Sequence, residues 1–341
     1  MMFPRNRICV KFFIRYGILL FVALFIIHYF GIVTHFMEHN FAKDFKYPYD
    51  DGKSVSIGSL VYQMRHGQKP EVDPINNQTY SYRHNNPKKC MDEFGQNFLN
   101  PHLIIIVKSA MSHFDRRNAI RNSWGFERRF SDVLVKTVFT LGIDEDTHEE
   151  RLTELQKLIE LESQKYNDII QFNFIDSYFN NTIKTVNGLR WCKETCIRSK
   201  YYLFVDDDFY VSVKNVLSFL KNPINYPEYL EEYKEQLRKI NQRKLQSNRS
   251  LLNDTLIDNG LSISSRNLLN LNMELPVDAK LFSGFVFNSS PHRHRSSKWY
   301  VSLDEYKWDM WPTYVTAGVF ILSREALIEM YYVSLFTKHF R

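Results

Sequence analysis

The sequence predicts a doubly wound α/β domain carried behind one N-terminal apolar helix. Three observations predict it. From His102 onward, short apolar runs alternate with stretches of helical periodicity. One run, Tyr201–Val211 (YYLFVDDDFYV), meets three consecutive aspartates where a strand would leave its sheet, at the edge where open α/β sheets bind ligands. Near the start, Tyr16–Val33 (YGILLFVALFIIHYFGIV) is apolar over a length that spans a thin bilayer at about 1.5 Å per residue.

Arg5, Arg7, Lys11 and Arg15 precede the apolar run, while Glu38 and Asp44 follow it. By the positive-inside rule, residues 1–15 are a cytosolic tail, 16–33 a type II signal anchor, and the rest lies on the luminal side. A cleaved signal peptide is the competing reading; the run is long and no small-x-small cleavage site follows it. N-x-S/T acceptors at Asn77, Asn180, Asn248, Asn253 and Asn288 agree with luminal placement. Cys90, Cys192 and Cys196 follow the span, an odd number for an oxidising compartment. Cys192 and Cys196 sit four apart on a predicted helix, without the further His or Cys spacing of a zinc site. A partner beyond residue 341 would resolve the parity. Residues 34–100 are polar and lack clear periodicity, and read as a stem. The formal charge of +6 is spread along the chain. It suits anionic small molecules and a membrane-facing tail rather than nucleic acid.

The predicted domain covers 101–341. Leu103–Val107, Val133–Leu141 and Ile169–Phe174 are runs of the kind found in buried parallel strands. His148–Lys165 places Leu152, Leu155, Leu158, Ile159 and Leu161 at helical spacing, and Asn181–Cys196 is a second helix. Residues 222–276 are rich in Glu, Lys, Asn and Ser, and read as a surface insertion with a charged helix over Tyr226–Lys244. Strand-like segments resume at LFSGFVF, KWYVSL and YVTAGVFILS, followed by a closing helix from Arg324.

Three carboxylates at one strand end repel one another unless a hard cation sits between them. Asp206, Asp207 and Asp208 therefore point to a Mg²⁺ or Mn²⁺ site completed by substrate phosphates. The plain alternative is a solvated acidic turn; the apolar strand before the triplet and Val211–Leu220 after it favour the metal. In RRNAIRNSW, Arg117 and Arg121 are four apart and share a helix face. They could clamp a diphosphate or simply solvate that face. Taken alone, Lys184 reads as a surface lysine, and Trp311 and Tyr314 as core aromatics.

Taken in order, IIIVKS, RRNAIRNSW, DIIQFNFIDSYFNNTIKTVNGLRW, YYLFVDDDFYV, SKWYVSLDEY and WPTYVTAGVFILS resemble the Golgi β1,3-galactosyltransferase and β1,3-N-acetylglucosaminyltransferase family. The resemblance covers most of residues 102–220 and 280–332. The stretch from RHRSSKWY to FILSREAL looks most like the family's glycolipid-acting N-acetylglucosaminyltransferases. The galactosyltransferases usually carry a Cys-Ser-Gly type sequence where this chain has Val315-Thr316-Ala317-Gly318. The resemblance implies a GT-A type, Rossmann-like fold, a UDP-GlcNAc or UDP-Gal donor and Mn²⁺. It also implies a glycan acceptor on lipid or protein, and inverting transfer to a sugar 3-hydroxyl in the Golgi lumen. Residue by residue, it puts Asp206 and Asp207 on the uridine-ribose side, Asp208 on the metal, and Arg117, Arg121 and Lys184 at the nucleotide end. Trp311, Tyr314 and Gly318 would line the donor-sugar and acceptor pocket, Gly318 because a backbone close to a sugar leaves no room for a Cβ.

Family members continue past the closing helix into an acidic motif of the Glu/Asp-Asp-Val-Tyr-x-Gly type, thought to supply the catalytic base. This sequence stops at Phe340-Arg341, where the motif would begin. Asp304, Glu305 and Asp309 are then the acidic residues nearest the expected pocket. A membrane-anchored, catalytically impaired paralogue that binds a UDP-sugar or a partner is the alternative. A luminal metal-dependent phosphohydrolase would need His and Asp constellations absent from this sequence.

Overall fold

At the centre of the sheet lies β2 (Leu103–Lys108), buried along its whole length. A strand covered on both faces needs apolar residues without alternation, and LIIIV supplies them. β2 pairs in parallel with β3 (Val135–Asp144) on one side and β5 (Tyr201–Asp206) on the other, with Lys108 opposite Asp206. β3 pairs in parallel with β4 (Ile169–Asp176). The outer strands β1 (Tyr82–His84), β7 (Tyr314–Ser323) and β6 (Phe282–Phe287) run antiparallel to their neighbours, giving the order β1-β4-β3-β2-β5-β7-β6. The chain is seen here in a computed structural model that describes residues 5–46, 55–76, 80–145, 148–228 and 275–339, with isolated positions between 229 and 240.

Alternate side chains of each strand point to opposite faces, so β2 feeds two cores. Leu103, Ile105 and Val107 pack with Phe139, Ile159 of α6 (Glu149–Tyr166) and Leu217 of α8 (Val213–Lys221). Ile104 and Ile106 pack with Phe172, Leu189 and Trp191 of α7 (Asn181–Thr195), and Leu327 of α9 (Arg324–Phe336). The predicted α/β domain is therefore present, with a parallel core and antiparallel edges. One predicted strand is not. KWYVSL lies in consecutive turns, with Ser297 N–H donating to the His294 carbonyl (2.9 Å) and Tyr300 N–H to the Ser297 carbonyl (3.0 Å). The Ser297 hydroxyl also accepts from Trp299 N–H (3.2 Å), so serine chemistry offers the backbone an alternative to a ladder.

The N-terminal half departs from the sequence reading. α1 (Arg5–Tyr29) is helical, but the predicted span is interrupted at Gly31, which adopts φ 69° before α2 (Ile32–Phe36). Among the described residues, no helix is long and apolar enough to cross a membrane. Much of the expected stem is packed on the domain. α3 (Phe41–Asp44) is capped by Asn40, whose side chain accepts from Lys43 N–H. α4 (Ile57–Arg65) buries Leu60 and Val61 against Tyr332, Leu335 and Phe336 of α9. β1 extends the sheet, and Cys90 forms a disulfide with Cys196, 106 residues away. Closing a loop of that length restrains the unfolded chain by about 4–5 kcal/mol on the chain-entropy view. Cys196 is the C-cap of α7 rather than part of it, and Cys192, one turn earlier, is a buried thiol whose pKa burial pushes up. The expected insertion at 222–276 lies mostly outside the described residues, as do Asn77, Asn248 and Asn253.

Candidate active site

Because β2 and β5 are parallel neighbours in register, the loops leaving them meet at one edge, and the three aspartates there occupy different environments. Asp206 accepts from the Lys108 ammonium (2.8 Å), a side chain only 2% exposed. Lys108 Nζ also donates to the Ala317 carbonyl (2.7 Å) and to Asn181 Oδ1 (3.4 Å). Burial holds the Lys108 ammonium below the ordinary lysine range, with Asp206 opposing. Asp207 is nearly enclosed, accepting from Ser109 Oγ (2.7 Å), His113 Nδ1 (2.7 Å) and Arg116 Nη1 (2.8 Å). Burial alone would raise its pKa, but these hydrogen bonds outweigh it and hold the carboxyl below the usual range. Asp208 is exposed and takes no hydrogen bond or ion pair among the described residues.

This donor set fits one kind of metal. Among the described residues no group of three or more His, Cys, Asp or Glu is arranged to hold an ion. A fully protein-ligated cation is not what the triplet suits. A hard cation that keeps waters and takes substrate phosphates needs only one or two carboxylates, and Asp208 offers a free one beside the half-exposed Asp206.

The expected arginine clamp is a correction. Arg117 is fully buried and donates to Glu162 from Nε (2.9 Å) and Nη2 (2.6 Å). It also donates to Ser109 Oγ (3.2 Å), the Ala110 carbonyl and the Met111 carbonyl (3.1 Å). Arg121 grips Asp168 through Nε (2.7 Å) and Nη2 (2.8 Å), reaches Glu162 through Nη1 (2.7 Å), and lies over the Phe139 and Tyr166 rings. Both guanidiniums, on α5 (Phe114–Arg121), are committed to carboxylates inside the fold, so neither presents a free fork to a diphosphate. Lys184 is likewise buried, bound to Asp176 (2.6 Å) and the Ser109 carbonyl (2.8 Å). Arg117 and Lys184 hold the loop Ser109–His113, which brings Ser109 and His113 onto Asp207, while Arg121 braces Glu162, the partner of Arg117. Lys108, Ser109, His113 and Arg116 were not singled out from sequence. Their signal is their position in the first loop after the first parallel strand.

On the far side of β7 lies a cleft of about 820 Å³, lined among others by Phe287, His292, Trp299, Trp311, Tyr314 and Ala317. Trp311 stacks on Tyr306 (4.0 Å between centroids) and Tyr314 on Phe287 (5.9 Å). Trp311 and Tyr314 line this cleft, and Gly318 lies just past its edge. A Cβ on Gly318 would sit 3.1 Å from the Phe209 ring and 3.8 Å from Asp206 Oδ2. The crowding at Gly318 comes from the residue that follows the triplet. Of the acidic residues near the cleft, Glu305 accepts from Ser302 N–H (3.1 Å) and Asp309 from Phe41 N–H (2.7 Å), while Asp304 is exposed. None of the three lines the cleft.

Two glycosylation acceptors can be compared. Asn288 is exposed, whereas Asn180 donates its Nδ2, the atom a glycan would occupy, to the Ile175 carbonyl (2.8 Å). Expressed through a secretory pathway, the chain should carry a glycan on Asn288 and none on Asn180. Glycopeptide mass mapping checks this, and occupancy at Asn180 would contradict it.

A parallel-cored sheet whose carboxylate-bearing edge adjoins an aromatic cleft defines an α/β domain of the kind that binds ligands at its strand ends. Residues 115–252 and 254–341 match the Galactosyltransferase family, and the chain belongs to it. It is a glycosyltransferase. It is 37% identical to the β1,3-galactosyltransferase brn of Drosophila melanogaster over 93% of this chain and 75% of that protein. It is 28% identical to human β1,3-galactosyltransferase 1 over 78% of this chain and 62% of that protein. It is also 28% identical to human lactosylceramide 1,3-N-acetyl-β-D-glucosaminyltransferase over 75% of this chain and 53% of that protein. The chain thus spans less than two thirds of the two human relatives.

Proposed function

We propose that this chain transfers N-acetylglucosamine or galactose, with inversion, from a UDP-sugar to the 3-hydroxyl of a glycan on lipid or protein. The observation that carries this reading is the position of Ala317. Its carbonyl is held by Lys108, the partner of Asp206, while the same residue lines the aromatic cleft. Carboxylate edge and cleft therefore adjoin across one strand, as a donor site and an acceptor site must. The names of the relatives, which include both sugar classes and a shared β1,3 linkage, support the reaction.

In this reading Asp206, held by Lys108, receives the uridine-ribose side, while Asp207, enclosed by Ser109, His113 and Arg116, organises the loop beside it. Asp208, with Asp206 beside it, would hold Mn²⁺, which when bound offsets the charge gathered on the departing UDP. Trp311 and Tyr314 offer flat apolar faces to sugar rings. Arg117 and Lys184 act at one remove, by fixing the loop that carries Ser109 and His113, and Arg121 by bracing the Glu162 carboxylate that holds Arg117. We further propose a type II signal anchor in the Golgi membrane, with the catalytic domain luminal. The basic residues ahead of the apolar run support it, as do exposed apolar side chains around α1, among them Leu19, Leu20, Phe21 and Phe25.

One observation favours a second reading, a UDP-sugar- or partner-binding paralogue with impaired catalysis. No carboxylate lines the cleft among the described residues, so no proton acceptor of that kind faces the acceptor hydroxyl there. Incubation with UDP-GlcNAc or UDP-Gal, Mn²⁺ and a β-linked glycoside decides between them. The proposal expects a β1,3-linked product by NMR; UDP binding without transfer supports the second reading, and neither outcome sinks both.

A further inference from the structure

We propose that Glu38–Phe45 forms one wall of the aromatic cleft, with Phe45 a specificity-determining contact for the acceptor and Glu38 a positioning residue. The inference rests on reading that cleft as the acceptor site. The segment has the composition of a tether, yet it is seated by independent contacts along its length. Arg293 is fully buried and donates to the carbonyls of Val301 (2.7 Å), Ser302 (2.9 Å), Tyr306 (2.7 Å) and Trp308 (3.1 Å). One guanidinium thus fixes the path of the loop that places Val301 and Tyr306 in the cleft wall. Its charge is met by Glu38 (2.7 Å), a carboxylate 6% exposed and 255 residues away in sequence. A buried guanidinium without that partner is costly, so the loop's geometry depends on the N-terminal segment.

The contacts continue on both sides of Glu38. Upstream, Gly31 approaches so closely that a Cβ there would lie 2.5 Å from the Arg293 carbonyl oxygen, and its φ of +69° suits glycine. Downstream, His39 N–H donates to the Lys307 carbonyl (2.9 Å), and Asp309 N–H donates to the His39 carbonyl (3.0 Å). Phe41 N–H then donates to Asp309 Oδ1 (2.7 Å). This pairing sets Phe45 against the Trp308 ring (5.1 Å, edge-on) and delivers it to the cleft lining, on the same wall as Tyr306 and Trp311. A tether needs none of this. A wall does.

The test uses the full chain. Phe45→Ala should raise the acceptor KM by about tenfold while the UDP-sugar KM stays within about twofold. Glu38→Gln should move the acceptor KM in the same direction and leave the donor KM alone, a split that general loss of stability would not produce. Lys157→Ala, on an exposed residue of α6 that does not line the cleft, should change neither. If Glu38→Gln fails to fold, Phe45→Ala carries the test. An acceptor KM unmoved by Phe45→Ala, or donor and acceptor KM rising together, overturns the proposal. Should the unmutated chain not transfer sugar at all, the proposed reaction fails by itself. The wall is then judged by titrating a β-linked glycoside against the fluorescence of the cleft tryptophans. Binding weakened by Phe45→Ala supports it, while equal binding, or no binding to the unmutated chain, overturns it.

Discussion

Replacing Arg117 with alanine is expected to cost about 3–5 kcal/mol of stability, the largest effect of any single site substitution considered for this fold. The side chain is fully buried, and its five N–H donors are all used on Glu162, Ser109 and two loop carbonyls. Truncation strands Glu162, 7% exposed, with only Arg121 to balance it. Chemical denaturation of the purified chain reads the loss directly. Pairing Arg117→Met with Glu162→Gln should recover part of it, since the uncompensated charge is then gone. A change below about 1 kcal/mol for Arg117→Ala would mean that the network is a surface feature.

The same network sets a pH response. Burial alone would raise the Glu162 pKa, but the hydrogen bonds and charge of Arg117, joined by Arg121, outweigh it and hold the carboxyl below its ordinary range. A depressed folded-state pKa contributes stability that is complete above the unfolded carboxyl value, about 4.3, and is lost as pH falls from there through the folded value. Asp207 and Glu127 are depressed too and add to the same slope. Melting temperature should therefore fall steeply below about pH 5. It should fall less steeply in Glu162→Gln, which starts lower and has one fewer linked proton. Parallel curves for the two proteins would contradict the assignment.

The second large effect is expected at Asp208. This carboxylate is exposed and takes no protein partner among the described residues, so removing it should leave the melting curve nearly unchanged. UDP affinity in the presence of Mn²⁺ should nevertheless drop by roughly ten- to a hundredfold, as for a lost charge-assisted contact of about 1.5–3 kcal/mol. Asp207→Ala should behave differently. It leaves Ser109, His113 and Arg116 without their shared acceptor, so it should lower both stability and affinity. Calorimetry on the two variants separates a ligand-facing carboxylate from one that organises its loop.

The parts legible in the sequence were those with local signatures. β2 and β5 are buried on both faces and read as unbroken apolar runs, β4 opens on a buried apolar pair before it alternates, and the leucine spacing of α6 marks a helix within a residue of its observed bounds. The aspartate triplet could be placed because a strand end is a local event. The errors came from long-range pairing. Arg117 and Arg121 looked like a solvated or ligand-binding face because Glu162 and Asp168 lie 41 to 47 residues further on. Lys184 looked like surface because Asp176 reaches it only across the turn between β4 and α7. The stem reading failed for a related reason. Phe41, Phe45, Leu60 and Val61 are too sparse to show a period, yet each meets apolar residues contributed by 301–336.

Titration of UDP into the unmutated chain, with and without Mn²⁺, tests most directly the claim that the strand-end aspartates form a metal-assisted nucleotide-sugar site. The account predicts an affinity at least about tenfold higher with the metal, an effect that Asp208→Ala removes. Equal UDP affinity in the two conditions would contradict it.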